Sequence, residues 1–263
     1  MKGIDCATPI TETVAEALAA AGVKFVCRYL VPDTPAYKWK RLTRQEAEII
    51  TNAGMMVVSI FETTANRPAG GANAGKTDGL LVLQEASAIG QPKGTAIYFA
   101  VDYDAQQEDY SAIEEYLRST GNVLVDYAVG VYGSYAVVEE MARRKAAIHF
   151  WQTYAWSGGK KSSNANIYQY KNDQPLAGIQ VDLNDSSGNE GWWSTKDEET
   201  DTAIFKDIAG HWARGDIEWL AERGLVAKAE HFRPDDQATR AETAAFVRRG
   251  IEYAINEAIK IQK

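Results

Sequence analysis

The sequence lacks the features of a membrane, metal-binding or nucleic-acid-binding protein. No run of about 18 apolar residues occurs in its 263 positions, so we expect no transmembrane helix and no membrane partner. The three histidines, His149, His211 and His231, have no second histidine or cysteine at ligand spacing, so we expect no zinc, no other metal and no cofactor. The net charge of -8 and the absence of a sustained basic stripe argue against a nucleic-acid partner.

Cysteine is also scarce, and a secretory leader is not visible. Cys6 and Cys27 both fall in predicted strands, where buried free thiols are favoured and a disulfide between them stays open. The chain enters a strand within its first six residues, without the charged region, apolar run and cleavage site of a leader. We therefore expect either another route of export or a leader that has been removed.

What the sequence does contain is an alternation of strand and helix patterns. Apolar runs predict eight strands, over residues 3–6, 24–30, 55–62, 96–102, 127–132, 148–153, 166–170 and 179–183. Amphipathic segments predict five long helices, over residues 11–21, 43–53, 77–89, 108–119 and 135–144, with a glycine-rich loop over 63–75. Repeated strand–helix units favour parallel strands, and eight of them predict an α/β fold of the TIM-like (β/α)8 barrel type. An open doubly wound sheet is the alternative, weakened because no glycine-rich phosphate loop follows a strand.

The composition changes after Trp193. Residues 194–202 are polar and without apolar periodicity, which is typical of a linker. Residues 203–263 then show two helical patterns, the second with Thr239 as its predicted cap. The chain is therefore expected to comprise a barrel over 1–193, a linker over 194–202 and a small α-helical module over 203–263.

Carboxylates fall at the predicted ends of four strands. Asp5 ends the first, Glu62 the third, Asp102 the fourth with Asp104 two residues later, and Asp182 the last. In a parallel barrel these ends share one rim, and residues two apart on a strand face the same side. Repulsion between two such acids raises one pKa and leaves the other ionised, which suits the proton donor and charged carboxylate of glycoside hydrolysis. The alternative for a single acid is a turn residue or a helix cap.

Aromatic residues are dense near the same strand ends. Sugar rings stack on aromatic faces, so we interpret Tyr132, Trp151 and Tyr168 as candidate substrate-binding residues. Ordinary core packing is the alternative for each of them.

Four segments together resemble a glycoside-hydrolase-like barrel family that is itself similar to the family-25 lysozymes. They are Gly3-Ile4-Asp5, residues 98–104, Gly130-Val131-Tyr132-Gly133, and Gln169-Tyr170 with Val181-Asp182. The resemblance, over about residues 1–193, implies that Asp5 and Asp182 position substrate and water and that Asp102 is the assisting carboxylate. It places Asp104 at the general-acid position. Because Asp104 is one methylene shorter than the lysozymes' glutamate, Glu62 is the alternative acid.

The C-terminal part resembles an S-layer homology module. The matching segments are residues 205–207, 211–213, 224–225, 232–234 and 239–242. The resemblance implies binding to a secondary cell-wall polymer, with Asp207, Trp212 and Arg240 contributing to the groove. Such modules usually occur as three copies, so the single copy leaves assembly into a homo-oligomer open. The alternatives are a degenerate appendage and a local ion pair between Arg240 and Glu242.

Together the two resemblances imply an extracellular, wall-bound glycoside hydrolase that acts on peptidoglycan or a related glycan. Such an enzyme would be a lysozyme-like or muramidase-like endolysin or autolysin, and release of the phage type would fit the lack of a visible leader. The alternative is a catalytically inactive glycan-binding surface protein, which the departure at Asp104 favours.

Overall fold

The structure is a computed structural model that describes residues 1–196, 204–208, 211–227 and 229–261, with side chains as far as residue 255. The chain forms two compact units, Met1–Asp197 and Glu198–Lys263. Of the linker expected over 194–202, all but the first three residues lie outside the described part. None of the described helices is both long and apolar enough to cross a membrane.

The first unit is a closed barrel of eight strands that neighbour one another in chain order. The strands are β1 (Lys2–Asp5), β2 (Phe25–Tyr29), β3 (Met56–Phe61), β4 (Ala96–Ala100), β5 (Ala128–Gly133), β6 (His149–Thr153), β7 (Ile167–Leu176) and β8 (Ile179–Ser186). The first six are joined by five helices, α1 (Glu12–Ala20), α2 (Arg44–Asn52), α3 (Gly71–Ile89), α4 (Tyr110–Val123) and α5 (Tyr135–Arg144). The predicted TIM-like α/β barrel is confirmed.

The last strand departs from the expected parallel arrangement. Strands β1 to β7 pair in parallel, whereas β8 is antiparallel to both β7 and β1. Only Ala177 and Gly178 separate β7 from β8, and both have positive φ, at 52° and 81°. Two residues can close an antiparallel hairpin, but a parallel crossover needs a dozen or more. The expectation of a parallel eighth strand is therefore wrong.

Helix α3 begins earlier than expected, inside the segment predicted to be a glycine-rich loop. A Cβ placed on Gly75 would lie 2.2 Å from the carbonyl oxygen of Tyr116 on α4, and one on Gly79 would lie 3.0 Å from Val123. These glycines let the two helix backbones approach closely, and this packing outweighs their poor helix propensity. The loop expectation is wrong for residues 71–75.

Two apolar clusters fill the barrel unit. One lies between the sheet and its helices, and it includes residues from both. The other contains only strand residues that alternate with those of the first, so it fills the barrel interior. Cys27 belongs to this inner cluster, and both cysteines are buried free thiols. Side chains thus pack the interior of the barrel.

The second unit contains two described helices, α6 (Arg214–Glu222) and α7 (Arg240–Ile261). Its small core consists of Phe205, Ile208, Ile217, Ala221 and Val226. The expected small α-helical module is confirmed.

Candidate active site

A cavity of about 110 Å³ opens at the mouth of the barrel, where the parallel strands end. Its lining includes four carboxylates, those of Asp5, Glu62, Asp102 and Asp182. Pockets that enclose drug-sized ligands measure roughly 300–1,000 Å³, so this one fits a single substituent of a larger molecule. The structure thus brings four of the five predicted acids together.

Asp5 lies at the base of this cavity, on the last residue of β1. Its Oδ2 accepts hydrogen bonds from Nδ2 of Asn184 at 2.7 Å and from Nε2 of Gln169 at 3.0 Å. Burial, and then the charge of Asp182, raise the pKa of Asp5 to about 7, although the two hydrogen bonds oppose the shift. Such a carboxyl is partly protonated near neutral pH and can exchange a proton with a ligand.

Asp182 is at the mouth because β8 runs backwards. It pairs directly with Asp5 across the antiparallel β1–β8 ladder, whereas β8 itself continues to Ser186. Asp182 therefore lies at the predicted rim, but because the antiparallel β8 begins there and not because a parallel strand ends there. The Oδ1 of Asp182 accepts from the backbone N–H of Asp173 at 2.8 Å, and burial raises the pKa of Asp182.

Asp102 and Glu62 form a second carboxylate pair in the lining. Burial and then the negative charge of Glu62 raise the pKa of Asp102, while the nearby Tyr132 hydroxyl and the charge of Lys40 oppose the shift. Glu62 itself pairs with the ammonium of Lys40 at 3.2 Å, and that ammonium lies 4.2 Å from the ring centroid of Tyr29. One acid of the pair thus has a cationic partner, and the other has a raised pKa.

Gln169 connects the two halves of the cavity. Its Nε2 donates to Asp5 and, at 3.3 Å, to Asp182, while its Oε1 accepts from the hydroxyls of Tyr132 at 2.9 Å and Thr153 at 2.8 Å. Every polar atom of this buried amide is therefore used inside the protein, which fixes the positions of the surrounding acids.

Asn184 has a similar role. The sequence alone assigned no role to Gln169 or to Asn184. Asn184 accepts from Nε1 of Trp151 at 2.9 Å while it donates to Asp5. One signal was available, because Asp182 and Asn184 are two apart on a strand and therefore share its inward face.

Two predicted site residues are not brought into the cavity. Asp104 is exposed in the loop after β4, because that strand ends at Ala100 and the two-residue spacing from Asp102 no longer sets a common face. Tyr168 alternates with inward-facing Gln169, and its ring instead lies 4.6 Å from Nζ of Lys161. The shared-face argument for Asp102 and Asp104 is therefore wrong, as is a pocket position for Tyr168.

The predicted aromatic residues Tyr132 and Trp151 do line the cavity. Their rings pack edge to face, with centroids 4.9 Å apart, and both side chains are buried. They form its wall and offer no open face for stacking. The indole side chains of Trp39 and Trp156, in the loops after β2 and β6, are instead 61% and 46% exposed.

A larger cavity of about 600 Å³ lies beside the N-termini of α1 and α2. Its one buried acid, Glu46, is already bound by Arg28 at 2.6 Å and by the backbone N–H of Ile10 at 2.8 Å. This cavity is larger than the one at the barrel mouth, but the aspartates with raised pKa values line the mouth cavity. In the described part of the chain, no group of three or more histidine, cysteine or acidic side chains is arranged to hold a metal ion.

In the second unit, the three predicted wall-binding residues have different settings. The carboxylate of Asp207 accepts from the backbone N–H groups of Phe232 and Arg233 at 2.7 and 2.6 Å, so it holds a loop in place. Trp212 is 88% exposed, and Arg240, the first residue of α7, lines a cavity of about 600 Å³. The carboxylate of Glu242 pairs with Arg233 at 2.7 Å.

Two stretches of the chain match described families. Residues 16–187 match the Rv2525c-like, glycoside hydrolase-like domain, and residues 204–244 match the S-layer homology domain. Two uncharacterized proteins of Bacillus subtilis (strain 168) are similar. FadG is 33% identical over 147 residues, which are 50% of this chain and 24% of FadG, and YbfG is 32% identical over 145 residues, which are 49% of this chain and 20% of YbfG. The chain thus spans a quarter or less of the length of either relative.

Solved structures show the same barrel. The Tat-secreted protein Rv2525c of Mycobacterium tuberculosis, solved in complex with L-tartrate, has a TM-score of 0.66 and 25% identity, over 73% of this chain and 98% of its own. The Streptococcus pneumoniae virulence factor GHIP, a glycosyl hydrolase 25, has a TM-score of 0.50 and 14% identity, over 71% of this chain and 86% of its own. The second likeness shows the fold alone.

Proposed function

The chain belongs to the Rv2525c-like, glycoside hydrolase-like family, and from this premise we propose that its barrel hydrolyses a glycan of the cell wall, with peptidoglycan as the expected substrate. The observation that carries the proposal is the convergence of Asp5, Glu62, Asp102 and Asp182 on one cavity at the barrel mouth. Glycosidic cleavage needs a proton donor next to a charged carboxylate. Carboxyls with raised pKa values beside an ion-paired Glu62 are suited to supply both.

The surroundings of each acid support a division of roles. Asp102 is the proposed proton donor to the leaving oxygen, because burial and the charge of Glu62 favour its protonated form. Glu62, beside the Lys40 ammonium, is the proposed charged partner. Asp5 and Asp182, joined through Gln169, position the substrate and water. In this assignment Asp104 has no direct part, in contrast to what the lysozyme resemblance implies.

The S-layer homology domain implies association with the cell wall, and we assign the second unit to binding a secondary cell-wall polymer. The exposed indole of Trp212 offers a face for sugar stacking, and the guanidinium of Arg240 suits an acidic polymer. The related Rv2525c is Tat-secreted, which supports an extracellular place for this chain as well.

The test is digestion of purified Gram-positive cell walls by the full chain. Loss of turbidity together with new reducing ends supports a glycosidase. The Asp102→Asn variant, shown to be folded by circular dichroism, should then lose activity by at least about 100-fold, as expected for removal of a general acid. Clearing without new reducing ends would instead point to cleavage of a different bond and would refute the proposal.

A glycan-binding protein without turnover is the second candidate. The small cavity and the position of Asp104 outside it favour this alternative. If the protein binds cell walls without releasing reducing ends, and Asp102→Asn leaves that binding unchanged, the glycan-binding alternative is favoured over the enzyme.

A further inference from the structure

The mouth cavity is too small to hold a glycan by itself. Its volume of about 110 Å³ fits a single substituent, whereas sites that enclose a whole small ligand measure roughly 300–1,000 Å³. Some of its acids and amides also bind one another, so part of its polar surface is already used. A glycan bound there must therefore make further contacts on the loops around the rim.

Trp39 is an exposed aromatic residue in one of these rim loops, between β2 and α2. The loop follows the carboxyl end of β2, which is the end of the barrel at which the mouth cavity opens. Trp39 is 61% exposed. A single exposed apolar residue is common on protein surfaces, so the contacts around Trp39 are what distinguish it.

The indole lies beside the carboxylates of the mouth, with Lys40 between them. The Lys40 ammonium is 5.9 Å from the centroid of the Trp39 ring and 3.2 Å from Oε2 of Glu62, which lines the cavity. Lys40 itself is buried, and its ammonium is 4.2 Å from the ring centroid of Tyr29, another residue of the lining. One buried ammonium thus neighbours both the cavity lining and the exposed indole, which places Trp39 next to the mouth.

The position of the indole is fixed by the protein itself. Its Nε1–H donates to the backbone carbonyl of Ala36 at 3.0 Å. The N–H of Lys40 donates to the carbonyl of Tyr37 at 3.0 Å, and the carbonyl of Lys40 accepts from the buried guanidinium of Arg28 at 3.2 Å. Because the only N–H of the indole is already used, the exposed part of Trp39 can offer a ligand only its apolar ring surface. A rigid apolar ring suits the C–H face of a sugar.

We propose that Trp39 is a substrate-binding residue that forms a sugar-stacking subsite beside the mouth, outside the cavity. The inference rests on the proposed glycan-directed function. A ligand that reaches both the indole and the cavity is an oligosaccharide and not a single sugar. Affinity should therefore depend on an aromatic ring at position 39 and not on apolar character alone.

The test is calorimetric titration of the full chain with chitohexaose, a soluble β-1,4-linked oligomer of N-acetylglucosamine. Trp39→Leu keeps an apolar side chain and removes the ring, Trp39→Phe keeps a ring, and Leu80→Ala is a control at another exposed apolar position, on α3. We expect Trp39→Leu to weaken binding about tenfold and the other two variants to stay within about threefold of the wild type. Unchanged affinity in Trp39→Leu, or equal weakening in both Trp39 variants, would overturn the inference.

Two further measurements separate contact with the sugar from a structural role. Because Trp39 is exposed, the Tm of Trp39→Leu should lie within about 2 °C of the wild-type value. In the wild type, saturating chitohexaose should slow the oxidation of Trp39 by N-bromosuccinimide, located by peptide mass spectrometry, relative to that of Trp219, a partly exposed tryptophan of the second unit. A lower Tm together with weaker binding, or no protection of Trp39, would make the residue structural and overturn the inference.

The outcomes also distinguish this inference from the proposed hydrolysis. If the wild type releases reducing ends from cell walls but does not bind chitohexaose, or binds it without help from Trp39, only the inference falls. If the wild type does neither, the inference and the proposed hydrolysis fall together.

Discussion

Asp5→Asn should change how the stability of the barrel depends on pH. In the folded protein the pKa of Asp5 is about 7, against an ordinary value of 3.8, because burial and the neighbouring charge of Asp182 disfavour the carboxylate. Between these two values the folded state retains a proton that the unfolded state has lost. The free energy of unfolding of the wild type therefore falls as pH rises through this window.

The expected magnitude follows from the separation of the two pKa values. About three pH units at about 1.4 kcal/mol each correspond to about 4 kcal/mol between pH 4 and pH 8. Asparagine at position 5 does not titrate, and its amide oxygen can still accept from Asn184 and Gln169. Relative to the wild type, the variant should therefore gain about 4 kcal/mol on going from pH 4 to pH 8.

Urea unfolding at pH 4, 6 and 8 measures this difference. Tryptophan fluorescence reports on the barrel, because Trp151 and Trp193 are fully buried there. Asp104→Asn is the matched control, since it neutralises an exposed aspartate near the same rim, and it should run parallel to the wild type. Parallel profiles for Asp5→Asn and the wild type would refute the argument that burial controls this carboxyl.

Two further substitutions test the packing that supports the mouth. Gly75→Ala should destabilise the barrel by about 2 kcal/mol, because the new methyl group would lie 2.2 Å from the backbone oxygen of Tyr116. Gly121→Ala on α4 is the control, since its methyl group would lie 3.4 Å from the Val129 side chain, an ordinary contact distance. This control should be neutral or stabilising by up to about 1 kcal/mol. Equal Tm values for the two would contradict the close contact of α3 with α4. Glu46→Gln should lower the free energy of unfolding in urea by about 3–5 kcal/mol, because it leaves the buried Arg28 guanidinium without a counter-charge. Glu48→Gln, which breaks the half-exposed pair with Arg44, should lower it by less than about 1 kcal/mol. Similar costs for both would show that the buried pair is not an essential part of the fold.

The barrel and most of its mouth acids were predictable from local patterns. Apolar runs that alternate with amphipathic helices determine the strand order, and Asp5 directly ends a buried run. The direction of β8 was not predictable from periodicity, because a strand pattern has no polarity and the evidence for reversal lies in a two-residue connection. The same connection explains why Asp182 is at the mouth.

Other features depend on contacts between distant segments. The loss of Asp104 from the site follows from the end of β4 two residues before Asp102, and strand ends are poorly determined by sequence. The helical conformation at Gly75 depends on the approach of α4, which no local preference reveals. The roles of Gln169 and Asn184 likewise follow from their positions between acids that are far apart in the chain.

The most direct test of the central claim is the initial rate of reducing-end release from purified cell walls by Asp102→Asn and by Asp104→Asn, each relative to the wild type. The account predicts a loss of at least about 100-fold for Asp102→Asn and a rate within about threefold of the wild type for Asp104→Asn. Loss of activity in Asp104→Asn with Asp102→Asn still active would contradict it and would return the general acid to the exposed position that the lysozyme resemblance implies.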